Sequence, residues 1–205
     1  ELLNLFKKII TSESSDIILV RSEKGNFLLV KRKTLNKDLT NRYLEELGGR
    51  IYNKIKPLGS SQAKIFENEI SINEQLALGI LLSSYKFENF KKNKIKKIKN
   101  LKNVVFVCNQ PGKNLSKISD IQNLAKGVFT ARDLVWQPPN ILYPSSFANE
   151  CKKLKKIGVK VTIYNEKQLQ KIGMEALLAV GRGSRKDSQV VVMEWSGGKK
   201  DNKPM

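Results

Sequence analysis

Ala131-Arg-Asp-Leu-Val-Trp-Gln-Pro-Pro-Asn140 decides how the chain is divided. Upstream of it, Ser119, Ile121, Leu124, Val128, Leu134 and Val135 recur at helical spacing up to Trp136. Pro138 and Pro139 then stop the pattern, because proline lacks an amide donor, clashes with the preceding turn and restricts the residue before it. The reading is a connecting helix over 116–136 that joins a first domain, 1–115, to the opening of a second, 137–205.

Working back toward the start, Asp16-Ile-Ile-Leu-Val20 and Phe27-Leu-Leu-Val30 are short β-branched runs separated by the turn-like Glu23-Lys-Gly-Asn26, so they read as paired strands. Leu39, Tyr43, Leu44 and Leu47 mark one face of a helix, and Gly48-Gly49 reads as its stop. Ala63 to Glu67 reads as a strand. Ser71 with Glu74 three residues later is a capping-box pattern opening a helix that ends near Tyr85. Val104-Val-Phe-Val107 is a buried strand. Alternating strands and helices predict a layered α/β domain around a central mixed sheet.

Downstream, Pro144 to Lys156 is helix-like, with Pro144 in the first turn and Phe147, Cys151 and Leu154 on one face. Val159 to Tyr164 alternates as a strand. Short helices are expected over 166–172 and 174–180, and a strand over 190–195. These elements read as the first part of a second α/β domain.

Composition narrows the chemistry. The 205 residues are 40% hydrophobic and 28% charged, with no apolar run of membrane-spanning length. Only Cys108 and Cys151 are present, without a CxxC pair, which fits a reducing cytoplasm. The chain has no histidine, which excludes imidazole-based triads and His-ligated zinc. Cys151, on an apolar helix face, reads as a buried structural thiol. Gly181-Arg-Gly-Ser184 lacks the full spacing of a phosphate loop and reads as a turn. Glu194 has no nameable partner and reads as a solvent-facing strand residue. Arg132 and Asp133 read either as inter-domain or inter-subunit contacts or as solvated residues.

The net charge of +19 invites a nucleic-acid reading. Residues 86–102 hold eight lysines against Glu88 alone, beside Phe87 and Phe90, and such interleaving could grip a phosphate backbone. Lysine is nevertheless spread along the whole chain with Ile and Asn, as A/T-rich coding would produce, and a solvated loop is the plainer reading. A nucleic-acid-binding or scaffold module without catalytic activity is the alternative function.

The junction segment 131–140, with Ile141-Leu-Tyr-Pro-Ser-Ser-Phe-Ala148 after it, closely resembles the domain junction of leucine (cytosol) aminopeptidases, A-R-D-L-V-N-x-P-x-N followed by a proline and an alanine-bearing helix. Val159-Lys-Val-Thr-Ile-Tyr164, Glu166-Lys-Gln-Leu169, Gly173-Met-Glu-Ala-Leu-Leu-Ala-Val-Gly-Arg-Gly-Ser184 and Val190-Val-Val-Met-Glu-Trp195 match in order and spacing. Upstream, Ala77-Leu-Gly-Ile-Leu-Leu-Ser-Ser-Tyr-Lys-Phe87 is similar to the family's helix, while residues 1–70 match in pattern only. Trp136-Gln137 departs from the usual Asn and small residue.

The resemblance implies a smaller N-terminal α/β domain, a connecting helix and a C-terminal catalytic domain, assembled as a homo-hexamer. It implies hydrolysis of N-terminal residues, leucine preferred, from peptides by two divalent ions, Mn or Zn. DNA binding through the N-terminal domain is known among relatives. The family's motifs V-G-K-G-x-T-F-D and N-T-D-A-E-G-R, which carry the metal-holding and catalytic side chains, do not occur here. No catalytic, metal-ligating or cofactor-binding residue is therefore assigned within the chain, which is expected to bind no metal and to be inactive alone. The ends, Glu1 and Lys203-Pro204-Met205, suggest a fragment.

Overall fold

The structure is a computed structural model that describes residues 2–23, 25–31, 37–66, 74–90, 101–107 and 115–198. Ser71 of the expected capping box, Glu67, Cys108 and most of the lysine-rich run lie outside the described residues. The chain divides into two compact units, Glu1–Arg132 and Asp133–Met205.

The first unit begins with helix α1 (Leu2–Ser12), which the sequence reading did not anticipate. Strands β1 (Ile17–Ser22) and β2 (Gly25–Val30) form an antiparallel hairpin, with Ile17 opposite Val30 and Val20 opposite Phe27. Phe6 of α1 packs its ring on Phe27, centroids 5.4 Å apart. Strand β3 (Gln62–Phe66) pairs in parallel with β4 (Asn103–Val107), and helix α3 (Glu74–Ser84) lies between them in sequence. Among the described residues the expected mixed sheet thus appears as one antiparallel and one parallel pair. Ala63, Ile65, Val104 and Phe106 line the inner face of β3 and β4 against the core.

Helix α2 (Lys37–Ile55) runs straight through Gly48-Gly49, which corrects the expected stop at that pair. The reason is tertiary. A Cβ on Gly48 would lie 2.2 Å from the Leu76 carbonyl oxygen, and one on Gly79 of α3 only 1.9 Å from the Glu45 carbonyl oxygen. Each helix presents a glycine where the other's backbone passes, so the axes approach more closely than side chains would allow. That closeness brings Leu44, Leu47, Ile51 and Ile55 of α2 onto Leu76 and Ile80 of α3. Each fully buried side chain of this kind contributes about 1.5–3 kcal/mol, against an intrinsic cost of roughly 1 kcal/mol per mid-helix glycine.

Helix α3 is apolar almost all round, as a helix covered on two sides must be. Its Leu76 and Ile80 face α2, while Ala77 and Leu78 meet Ile121 and Ala125 of α4 (Leu115–Val135). The inward stripe of α4 is Ile118, Ile121, Ala125 and Phe129. The expected stripe through Leu124 and Val135 is corrected: both are exposed, because the small Ala125 occupies the point where α3 comes close.

In the second unit, helix α5 (Pro144–Lys152) continues into a tight turn over Lys153–Ile157 that ends at Gly158, whose φ of 91° suits glycine. Strand β5 (Lys160–Tyr164) pairs antiparallel with β6 (Val190–Glu194), and helices α6 (Glu166–Lys171) and α7 (Glu175–Gly181) lie between them in sequence. Asn165 and Gln168 cap α6 reciprocally: each side-chain oxygen accepts the other's backbone N–H at 3.0 Å. Ala148, Cys151, Val161 and Leu169 are this unit's buried apolar residues among those described.

Candidate functional site

The candidate site is the segment that starts where α4 ends. Pro138 offers its carbonyl to the N–H groups of both Ile141 and Leu142, at 2.9 Å each, forming a compact turn over the two prolines. The Ser146 hydroxyl then accepts the Tyr143 N–H at 2.8 Å and donates back to the Ile141 carbonyl, which fixes the entry into α5. Pro144 sits at the first helical position, where its missing donor costs nothing.

Loop 181–188 is held to these elements from two directions. The Lys186 ammonium lies 4.4 Å from the centre of the Tyr143 ring, within cation–π range. The Ser188 N–H donates to Glu166 Oε1 at 2.8 Å. A Cβ on Gly181 would stand 2.0 Å from the Ser188 hydroxyl, so close approach explains this glycine without an anion. Ser184 N–H donates to the Gly181 carbonyl, and the Ser184 hydroxyl accepts from Lys186 N–H. These bonds describe a turn whose polar groups answer one another.

The remaining candidates fall apart chemically. Glu194 faces Lys160 directly across the β5–β6 ladder and pairs with its ammonium at 3.1 Å on the surface. Cys151 is buried; desolvation raises its thiol pKa, and the neighbouring Glu150 charge pushes the same way against a lowering backbone hydrogen bond. A thiol held protonated is a poor nucleophile. Arg132 is half-buried and donates to the Leu82 carbonyl at 2.7 Å. In the first unit, a cleft of about 500 Å³ is lined by Ser15, Ile17, Arg50, Asn53, Lys54 and Pro57, with Arg50 turned toward Asp16 at 3.7 Å.

Among the described residues, no group of three or more His, Cys, Asp or Glu side chains is placed to hold a metal ion. Glu74, Glu150 and Glu194 are paired with lysines, and Glu166 accepts a backbone amide. The described side chains therefore do not fit a two-metal centre, and no catalytic step can be written through them. No described helix is long and apolar enough to cross a membrane.

Residues 129–205 match the model of the cytosol aminopeptidase family, catalytic domain. A probable cytosol aminopeptidase of Nitrobacter winogradskyi is 33% identical over 197 residues, covering 93% of this chain and 39% of that protein. Among solved structures, a mutant of tomato leucine aminopeptidase superposes with a TM-score of 0.73 at 19% identity, over 93% of this chain and 41% of that one. The bottromycin maturation enzyme BotP in complex with Mn gives 0.66 at 18% identity, over 86% and 38%. The chain thus spans about two fifths of the length of these relatives, and the structural likenesses show a shared α/β fold.

Proposed function

The chain belongs to the cytosol (leucine) aminopeptidase family, and from that premise we propose that the intact protein is a cytoplasmic aminopeptidase that removes N-terminal residues, leucine preferred, from peptides. The observation that carries this reading is the match of residues 129–205, in order and spacing, to the family's catalytic domain. Residues 1–115 supply the N-terminal domain, 116–136 the connecting helix and 137–205 the opening of the peptidase domain. The whole protein would use two divalent ions, Mn or Zn, whose chemistry there would be Lewis-acid polarisation and water activation. The family motifs that carry their ligands do not occur in this sequence, and in this reading residues 1–205 alone are inactive. The whole protein assembles as a homo-hexamer.

Exposed apolar residues of the second unit support a larger domain around it. Ile157, Ile172, Val180 and Trp195 are each more than half exposed, far from the pattern of the first unit's core, and in this reading the rest of the catalytic domain covers them.

The test is hydrolysis of leucine amide by the full gene product, with and without added manganese, beside its intact mass and assembly state. Metal-dependent release of leucine by a hexamer is expected. A metal-replete, folded full-length product without hydrolysis sinks the reading. Nucleic-acid binding, carried by the net charge of +19, stands second. It requires duplex DNA affinity that falls with salt at a log–log slope near −0.9 per neutralised phosphate, roughly as counterion release dictates.

A further inference from the structure

We infer that Arg132 is a positioning residue, a latch that fixes the last turn of α4 to the C-terminal end of α3 and so sets where the chain leaves the first unit. Three contacts define it. Its guanidinium Nη1 donates to the Leu82 carbonyl at 2.7 Å, fifty residues away in sequence. The same guanidinium stands 5.4 Å over the Tyr85 ring. That ring in turn packs against Phe129, one turn earlier on α4, with centroids 5.3 Å apart.

Each contact has a physical reason. Leu82 lies in the last turn of α3, where helix carbonyls lack an intrahelical donor and carry the negative end of the helix dipole. A charged donor there makes a stronger hydrogen bond than a neutral one. Tyr85 follows the helix directly, so its ring lies between Phe129 and Arg132, which three-residue spacing puts on one side of α4. The guanidinium reaches the carbonyl with Nη1 while its central carbon stands over the ring, and its rigid fork of donors holds that geometry better than the point charge of an ammonium on a flexible stem.

Location makes the latch the closing contact of the stripe that packs α4 on α3. The inward stripe of α4, Ile118, Ile121, Ala125 and Phe129, ends with Arg132 at the next step. Beyond it Val135 is 83% exposed and Trp136 62% exposed, although both lie within reach of the same spacing. The first compact unit also ends at Arg132. At the other end of α4, Lys117 meets Glu74 at 2.7 Å, but that pair is exposed and, like most such pairs, holds weakly. Hence the packing of α4 on α3 extends as far as Arg132. This assignment does not depend on the peptidase reading.

Hydrogen exchange on the whole chain tests it, using Arg132→Ala, Arg132→Lys and Tyr85→Leu. Amides over 129–136 are expected to exchange at least tenfold faster in all three variants, while those of α2 and β5 keep their rates. Unchanged exchange over 129–136 overturns the latch. So does a uniform acceleration across the first unit, which would make Arg132 ordinary core support. Should Arg132→Ala fail to fold, Tyr85→Leu keeps an apolar side chain against Phe129 and decides between the same outcomes.

Discussion

Replacing Gly79 with alanine puts the close approach of α2 and α3 to a quantitative test. The new Cβ would stand 1.9 Å from the Glu45 carbonyl oxygen, with the Glu45 carbonyl carbon at 2.7 Å. Carbon–oxygen contacts sit near 3.3–3.6 Å, so the helices must part by roughly 1.5 Å at this point. A radial gap of about 0.5–1 Å already forfeits a quarter to a half of the dispersion energy across a packed surface. A backbone carbonyl has no rotamer by which to yield, so the overpacking cost should lie near the upper end of about 1–3 kcal/mol or beyond it. Alanine returns up to about 1 kcal/mol of helix propensity, which leaves a net loss of about 2–3 kcal/mol. Urea unfolding followed by far-UV circular dichroism measures it, and Tm should fall by about 5–10 °C for a chain of this size. Gly127→Ala, in α4 with nothing within 4 Å of the added Cβ, is the control and should gain about 0.5–1 kcal/mol. Gly49→Ala meets the Ser83 hydroxyl at 2.8 Å, which can turn aside, and the Gly79 carbonyl at an ordinary 3.9 Å, and should fall between the two. Gly79→Ala as stable as the parent, or Gly127→Ala losing as much as Gly79→Ala, refutes the argument.

The buried Cys151 thiol supplies a pH dependence. Its folded pKa is raised by desolvation, so the folded state holds the proton more tightly than the unfolded state, and the stabilisation present below the unfolded thiol pKa is lost as pH rises through the folded value. Urea midpoints should be level near neutrality and fall above about pH 8.5, the ordinary thiol range; Cys151→Ala should flatten that first decline. Tyr52, raised by burial in the same sense, adds a second decline at higher pH. Gly181→Ala should destabilise the second unit, because its Cβ would stand 2.0 Å from the Ser188 hydroxyl and 3.3 Å from the Ser188 Cβ, and Ser188→Gly in the same chain should recover most of the loss. Equal losses in the single and double variants would show that the loop does not depend on this contact.

How much of this was legible follows from the range of the forces involved. The strands of the hairpin, of the parallel pair and of the β5–β6 pair were each legible from local apolar patterning, because strand residues that pack on a core repeat within a few positions, but the pairing of β3 with β4 and of β5 with β6 was not. The prolines at 138 and 139 were legible for the same reason: they forbid helix whatever surrounds them. Gly48-Gly49 misled because the local rule and the tertiary one oppose each other. In isolation the pair ends a helix, and only the presence of Gly79 on another helix turns it into a seat for a backbone. A sequence signal did exist, in a glycine centred among Leu76, Ala77, Leu78 and Ile80 of a helix with no polar face. Such a helix has neighbours on two sides, and a glycine within it is better explained by close approach than by flexibility.

The same logic separates what the candidate residues do from what their types suggest. Glu194, Cys151 and Gly181 carry residue types used in catalysis or anion binding, yet each is accounted for by its immediate surroundings: Lys160, an apolar helix face, and Ser188. Arg132 is the reverse case. Its type and spacing gave no preference between solvent and a distant partner, and the deciding group, the Leu82 carbonyl, is a backbone atom that carries no sequence signature at all. Side-chain patterning can therefore reveal which faces are buried, but polar contacts made to backbone ends become visible only when the helix that exposes them has been placed.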